Sequence, residues 1–269
     1  MKISVLMSLY EKESSNYLKE CLNSLNIQKK FIDQLVIVFD GPITSELEMV
    51  VCDFKGTLPI TIVKLEKNIG LGRALNEGIK YCSNEWIFRM DSDDICVPNR
   101  FELQIKFIEE NPDVVLLGGQ IQELDENMNV ILGYREVPIT VDDIRSFSLL
   151  RNPFNHMTVA YKKSVLESLG CYKHHLYMED YNLWLRVIAA GYPVYNLPDI
   201  LVKARTGYSM YYRRKGLEYI KSEWSLAGLK YNLGLQNVFS AYILFLIRSI
   251  PRLLPNKLVS FVYKLLRRN

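Results

Sequence analysis

The chain has 269 residues, of which 49% are hydrophobic and 23% charged. That length suits one large α/β domain or a domain with an appendage, and the apolar content is ample for a core. The formal net charge of +3 gives no reason to expect a nucleic-acid partner. The placement of charge says more. No Asp or Glu follows Glu223, whereas Lys230, Arg248, Arg252, Lys257, Lys264, Arg267 and Arg268 do, so residues 1–223 carry 26 basic and 30 acidic side chains. The positive charge therefore belongs to the tail. Cys21, Cys52, Cys82, Cys96 and Cys171 form no C-x-x-C pair. An odd count without metal spacing points to reduced thiols in a cytosolic protein. Met1-Lys2 leads directly into the apolar run Ile3 to Met7, which suits a first strand better than a secretory leader.

In chain order, Ile3 to Leu9 has the length and composition of a buried strand. Leu18, Cys21, Leu22 and Leu25 then recur at helical spacing behind Ser14, Ser15 or Asn16 as a cap. Leu35 to Phe39 is a second strand ended by the turn sequence Asp40-Gly41-Pro42. Thr44 to Phe54 can be helical, and Ile60 to Leu65 is a third strand. Gly70 to Cys82 reads as a helix, and Trp86 to Met90 as a fourth strand. Strands that are apolar on both faces and alternate with helices predict an α/β fold, a mostly parallel sheet flanked by helices. Further on come a helix over 99–111, a strand over 114–117 and a possible hairpin over 120–137. Thr140 to Asp143 resembles a capping box. A loop, Asn152-Pro153-Phe154-Asn155-His156, precedes a strand over 157–161. A well-patterned helix then opens at Glu179-Asp180 and stops at Gly191, with Trp184 expected in its core face. His174-His175 reads as loop surface. Residues 205–216 read as a basic, aromatic loop.

In such sheets ligands sit beyond the carboxyl ends of the strands. Polar residues fall there four times running: Ser8 and Tyr10, then Asp40, then Asn68, then Asp91 and Asp93. This coincidence of position is stronger evidence than any one motif. Three carboxylates within Asp91-Ser92-Asp93-Asp94 repel one another unless a cation sits among them, and a divalent ion is the natural candidate. By contrast, Gly70-Leu71-Gly72 leads to Leu75 where a dinucleotide fingerprint needs glycine, which argues against a nicotinamide oxidoreductase.

Several blocks together, Ser8-Leu9-Tyr10, Val38-Phe39-Asp40-Gly41, Asn68 to Ile79, Asp91-Ser92-Asp93-Asp94, and Glu179-Asp180 with Trp184-Leu185-Arg186, resemble the family 2 glycosyltransferases of the GT-A fold. The similarity spans roughly residues 1–205 and is nearest to the bacterial enzymes that extend O-antigen or capsule repeat units. The resemblance implies a Rossmann-like GT-A domain over 1–205, with a nucleotide-binding half (1–95) and an acceptor and catalytic half (96–205). It also implies inverting transfer from a UDP-sugar with Mn²⁺ or Mg²⁺. Carried over by position, Tyr10 and Asp40 contact the base, Ser8, Asn68 and Arg73 flank the nucleotide, and Asp91 with Ser92 serves the ribose side. Asp93 ligates the metal. His156 lies near the diphosphate or acceptor and is a second candidate metal ligand. Asp180 is the catalytic base, with Glu179 and Asp94 as supporting groups. Glu11 stands where the family often has Asn.

The chemistry gives these assignments a reason. A metal neutralises charge on the departing diphosphate, and a positioned carboxylate deprotonating the acceptor hydroxyl contributes roughly 10²–10⁴-fold. The alternatives are a sugar nucleotidyltransferase, for which Ser8-Leu9-Tyr10-Glu11 lacks the expected Gly-rich basic loop, and a non-catalytic nucleotide-sugar-binding partner. Residues 206–269 read as a helical, basic-amphipathic extension. Val238 to Ile247 is nearly all apolar but far short of the roughly 20 residues a membrane span needs. Beyond it Leu258, Val259, Phe261, Val262, Leu265 and Leu266 alternate with basic residues, the pattern of a helix lying on an anionic membrane surface. The expectation is a cytoplasmic protein peripheral to the inner face of a bacterial plasma membrane, acting on a lipid-linked saccharide.

Overall fold

The structure is a computed structural model and describes residues 1–206 and 216–249. Among these, nine strands join into one sheet with the order β3-β2-β1-β4-β8-β6-β9-β5, and β7 also pairs β6. The strands are β1 (Ile3–Leu9), β2 (Gln34–Phe39), β3 (Ile60–Lys64), β4 (Trp86–Arg89), β5 (Ile95–Cys96), β6 (Leu116–Leu124), β7 (Ile131–Arg135), β8 (Ala160–Lys162) and β9 (Val194–Arg205). The helices are α1 (Ser15–Ile27), α2 (Ser45–Phe54), α3 (Leu71–Tyr81), α4 (Arg100–Glu110), α5 (Val141–Ser148), α6 (Lys163–Ser168), α7 (Glu179–Ala189), α8 (Leu217–Asn232) and α9 (Val238–Ser249).

The first half follows the expected pattern. β3, β2, β1 and β4 are parallel neighbours, with Ser4 opposite Gln34 and Val5 opposite Phe88. Alternation along β1 explains why both faces are covered. Val5, Met7 and Leu9 pack with Leu18, Leu22 and Leu25 of α1 on one side, while Leu6 joins Leu75 and Ile79 of α3 on the other. Ser14 caps α1 and Thr44 caps α2, each hydroxyl accepting a backbone N–H of the first turn.

The second half differs in direction. β8 runs antiparallel to both β4 and β6, whereas β6 and β9 are parallel, so the sheet becomes mixed beyond β4. The hairpin expected over 120–137 is formed by β6 and β7. Thr140 caps α5 as expected, its Oγ1 accepting from Asp143 N, but Asp143 Oδ2 accepts from that hydroxyl and no bond from Thr140 N closes the capping box. Trp184 is fully buried, as its place in the α7 pattern suggests. His174-His175 needs correction as a pair. His175 is only 7% exposed, because its Nε2 lies 2.9 Å from the Ser222 carbonyl and its Nδ1 3.1 Å from Asn182 Nδ2. Residues 207–215 of the basic-aromatic loop, and the amphipathic pattern beyond 250, lie outside the described residues.

Candidate functional site

The carboxyl ends of β1 and β2 meet the loop that opens α3. Tyr10 is exposed at this rim, and Ser8 is half-buried beneath it. Asp40 is buried, and its carboxylate accepts from Ile69 N at 2.7 Å and Gly70 N at 3.1 Å. It therefore pins the Asn68–Gly70 loop, and its remaining lone pairs are left for a ligand. Gly41 has φ +89°, and a Cβ there would lie 2.6 Å from Asn68 N, so the two turns interlock through a glycine. Asn68 and Arg73 are both exposed on this edge.

β4 delivers the acidic turn. Behind it stand two fully buried arginines. The Arg89 guanidinium donates to the Met90 carbonyl and the Asp91 carboxylate. Arg100 donates to the Arg89 carbonyl at 2.7 Å and to Gln104 Oε1 at 3.0 Å. Ser92 Oγ donates to Glu13 Oε2 at 2.6 Å, which draws a fourth carboxylate into the group. Asp94 is buried and accepts from Arg205 N at 2.8 Å, and Arg205 Nε donates to the Asp93 carbonyl at 3.0 Å. The same guanidinium pairs with Glu20 at 2.6 Å and lies 3.8 Å above the Tyr17 ring. Burial, then Asp91 and Glu13, push the Asp93 carboxyl up to about 7. Burial, then Asp93 and Asp91, push Asp94 well above the carboxylate range.

The third component comes from the second half of the chain. α7 begins at Glu179 and Asp180, both half-buried. Asp180 Oδ2 accepts from Asn152 Nδ2 at 2.7 Å, and its Oδ1 accepts from Tyr181 N at 2.7 Å. Burial raises the Glu179 carboxyl, with Asp180 adding to the effect. A Cβ on Gly72 would lie 3.3 Å from Glu179 Cβ, so the first turns of α3 and α7 approach closely. His156 Nε2 lies 2.8 Å from the Tyr172 hydroxyl, and Tyr172 is tied to α3 by its backbone bonds with Asn76. Burial and the nearby Arg89 bring the His156 imidazole down to about 4, so it is neutral and keeps a lone pair at pH 7.

Among the described residues, no three His, Cys, Asp or Glu side chains converge to hold a metal by themselves. Mg²⁺ and Mn²⁺ at phosphate sites commonly take only one or two carboxylates and draw the rest from phosphate and water. Asp91 and Asp93 on one turn, with ionisation of Asp93 disfavoured first by burial and then by its acidic neighbours, match that demand. The turn thus brings Asp91, Ser92, Asp93 and Asp94 together, and α7 supplies Glu179 and Asp180. Glu13, Asn152, Tyr172 and Arg205 are contacts the sequence reading missed. Glu13 follows Tyr10 by three residues and falls under the same strand-end logic. Arg205 stands 112 positions from its Asp93 partner and leaves no local signal.

A sheet of this order with carboxylates at its strand ends is the GT-A fold. The chain belongs to glycosyl transferase family 2, whose model matches residues 4–170. It is 50% identical over 264 residues to an uncharacterized glycosyltransferase of Haemophilus influenzae, covering 98% of each chain. It is 47% identical to the amylovoran biosynthesis glycosyltransferase AmsE of Erwinia amylovora, covering 97% of each. It is 36% identical to the UDP-Gal:alpha-D-GlcNAc-diphosphoundecaprenol beta-1,3-galactosyltransferase of Escherichia coli, over 98% of this chain and 95% of that one. The fold matches S. aureus TarS in complex with UDP-GlcNAc, with a TM-score of 0.68 at 22% identity over 89% of this chain and 69% of the other. It also matches the mannosyltransferase PcManGT of Pyrobaculum calidifontis in complex with GDP-Man and Mn²⁺, with a TM-score of 0.65 at 15% identity over 100% and 81%.

Proposed function

We propose that this glycosyltransferase is an inverting enzyme that moves a hexose from a UDP-sugar to a saccharide carried on a polyprenyl diphosphate. The donor is UDP-galactose, UDP-glucose or one of their N-acetyl analogues, and the setting is assembly of an O-antigen or capsular repeat unit. The observation that carries the reading is Asp180, a carboxylate oriented at both oxygens on the first turn of α7, which packs against the opening of the nucleotide-side helix α3. The near full-length similarity to the Escherichia coli galactosyltransferase supports both the donor class and the diphosphate-linked acceptor.

In this reading Tyr10, Asp40, Ser8, Asn68 and Arg73 form the base and ribose rim, with Asp91 and Ser92 at the ribose side. Asp180 takes the proton of the acceptor hydroxyl as its oxygen attacks the anomeric carbon. The bond from that carbon to the UDP oxygen breaks on the opposite face, so configuration inverts. A bound Mn²⁺ or Mg²⁺, held by Asp93 with Asp91 and His156 alongside, would supply positive charge for the leaving diphosphate. The chain divides near residue 205 into the GT-A body and a C-terminal extension whose described part is α8 and α9. α9 exposes Val238, Phe239, Ile243, Leu246 and Ile247 next to the basic tail, which supports contact with an anionic membrane surface at the cytosolic face. Among the described residues no helix is long and apolar enough to cross a membrane.

The test is UDP release across the four UDP-sugars, with and without Mn²⁺, on a synthetic GlcNAc-α-diphosphate lipid. Turnover is expected with one donor, and Asp180→Asn is expected to lower it by roughly 10²–10⁴-fold while UDP still binds. Near-normal turnover in Asp180→Asn would remove this residue as the base.

A further inference from the structure

The segment just before Asn152 is gripped in an unusual way. Three successive carbonyls of residues 148–150 each accept from the side chain of a different helix. Tyr181 Oη of α7 donates to the Ser148 carbonyl at 2.6 Å. Lys230 Nζ of α8 donates to the Leu149 carbonyl at 2.6 Å. Arg248 of α9 donates to the Leu150 carbonyl and is paired at 2.8 Å with Glu223, itself only 2% exposed. Two residues later, Asn152 Nδ2 holds Asp180 Oδ2 at 2.7 Å. The apolar contact runs the same way, with Met178, Tyr181 and Leu185 of the α7 region packed on Tyr219 and Leu226 of α8.

Such a layer is costly to build. A buried ammonium or guanidinium gives up its hydration and recovers it only through well-placed acceptors. Here the acceptors are consecutive main-chain carbonyls, so the three donors fix a short stretch of backbone in space. Asn152 is the side chain of that stretch that reaches Asp180.

We infer that the C-terminal helices α8 and α9 set the position of the Asp180 carboxylate, and that Asn152 is the positioning residue through which they act. This rests on the reading of Asp180 as the base. The extension is then part of the catalytic apparatus as well as a surface for the membrane, and its loss acts on turnover before it acts on donor binding.

The full-length chain tests this, with the donor and acceptor selected above. Asn152→Ala is expected to lower kcat by roughly 10–100-fold, the scale of a displaced catalytic group. The KM for donor and the calorimetric Kd for UDP should stay within about twofold of wild type. Asn152→Asp keeps the size of the side chain and removes the N–H donor, so it separates donation from packing, and it should lose kcat as well. Lys230→Met, remote from both substrates, should lower kcat by roughly 3–10-fold by loosening the same stretch, with UDP affinity unchanged. Near-UV circular dichroism establishes that each variant is folded. Wild-type kcat in folded Asn152→Ala or Asn152→Asp overturns the inference, as does a loss of UDP affinity that matches the loss of kcat. Unchanged kcat in Lys230→Met overturns the part assigned to the C-terminal helices. Asp180→Asn is measured alongside. If it turns over normally, the base assignment fails. If it is inactive while the Asn152 variants are normal, only the positioning role fails.

Discussion

Buried cations organise this protein at the scale of single residues. Arg89 and Arg100 lie out of water behind the acidic turn, and Lys230 lies out of water behind the Asn152 segment. The site carboxylates were legible in the sequence because Asp40, Asp91 and Asp93 fall at strand ends and Asp180 opens a patterned helix. Their partners were not, because Asn152 is 28 positions from Asp180 and Glu13 is 79 from Ser92. No local pattern encodes contacts of that span. Lys230 gives a pH prediction. Burial, with Arg248 adding and Glu223 opposing, lowers its ammonium to about 7 from 10.5. Between those values the unfolded chain holds a proton that the folded chain has lost, so folding stability rises with pH across the window and the penalty is complete below about 7. Urea unfolding at pH 7 and pH 10 should show wild type gaining about 1–4 kcal/mol relative to Lys230→Met over that interval. Equal slopes for the two proteins would contradict it.

At the scale of elements, most helices and strands followed from local chemistry. Ser14 and Thr44 cap where hydroxyls precede apolar periodicity, and Gly191, with φ +78°, ends α7 where its pattern stops. The direction of β8 did not follow. A three-residue strand such as Ala160–Lys162 carries no mark of whether its neighbours run with it or against it. The two-residue β5 was too short to read at all. Gly41 shows how an element end serves the site. Its positive φ and its closeness to Asn68 N leave no room for a side chain, and the obstructing atom is backbone. Gly41→Ala should therefore cost about 1–3 kcal/mol of stability and weaken UDP binding by pushing away the loop that Asp40 pins. Thermal unfolding and UDP titration check both parts, and wild-type UDP affinity in this variant would show that the loop tolerates the shift.

For the whole molecule, two unlike surfaces lie on one chain. The body carries carboxylates at its strand ends, and the tail after Glu223 carries only positive charge beside exposed apolar residues of α9. The asymmetry was plain in the sequence. The packing of α8 and α9 onto α7 was not, because Lys230 and Arg248 read locally as surface charges. Membrane attraction is tested without deleting the helices that hold residues 148–150. Wild type should sediment with vesicles containing phosphatidylglycerol and not with neutral ones. Lys257→Glu, Lys264→Glu, Arg267→Glu and Arg268→Glu combined should abolish sedimentation, at about 1 kcal/mol per charge removed. Equal sedimentation of the two proteins would assign the attraction elsewhere.

Arg205 at the end of β9 also sets an order of assembly. During synthesis the strands β3, β2, β1 and β4 can pair among themselves, because their pairings with one another fall within the first ninety residues. Until the rest of the sheet forms, the turn at residues 91–94 lacks the Arg205 contacts to the Asp94 carboxylate and the Asp93 carbonyl. Those contacts require β9 in register along β6, where Arg205 N donates to Asp94 and Arg205 Nε to the Asp93 carbonyl. A nascent chain therefore holds the makings of a nucleotide rim long before it holds a finished one. The last described strand of the sheet thus clasps the acidic turn to the second half of the chain.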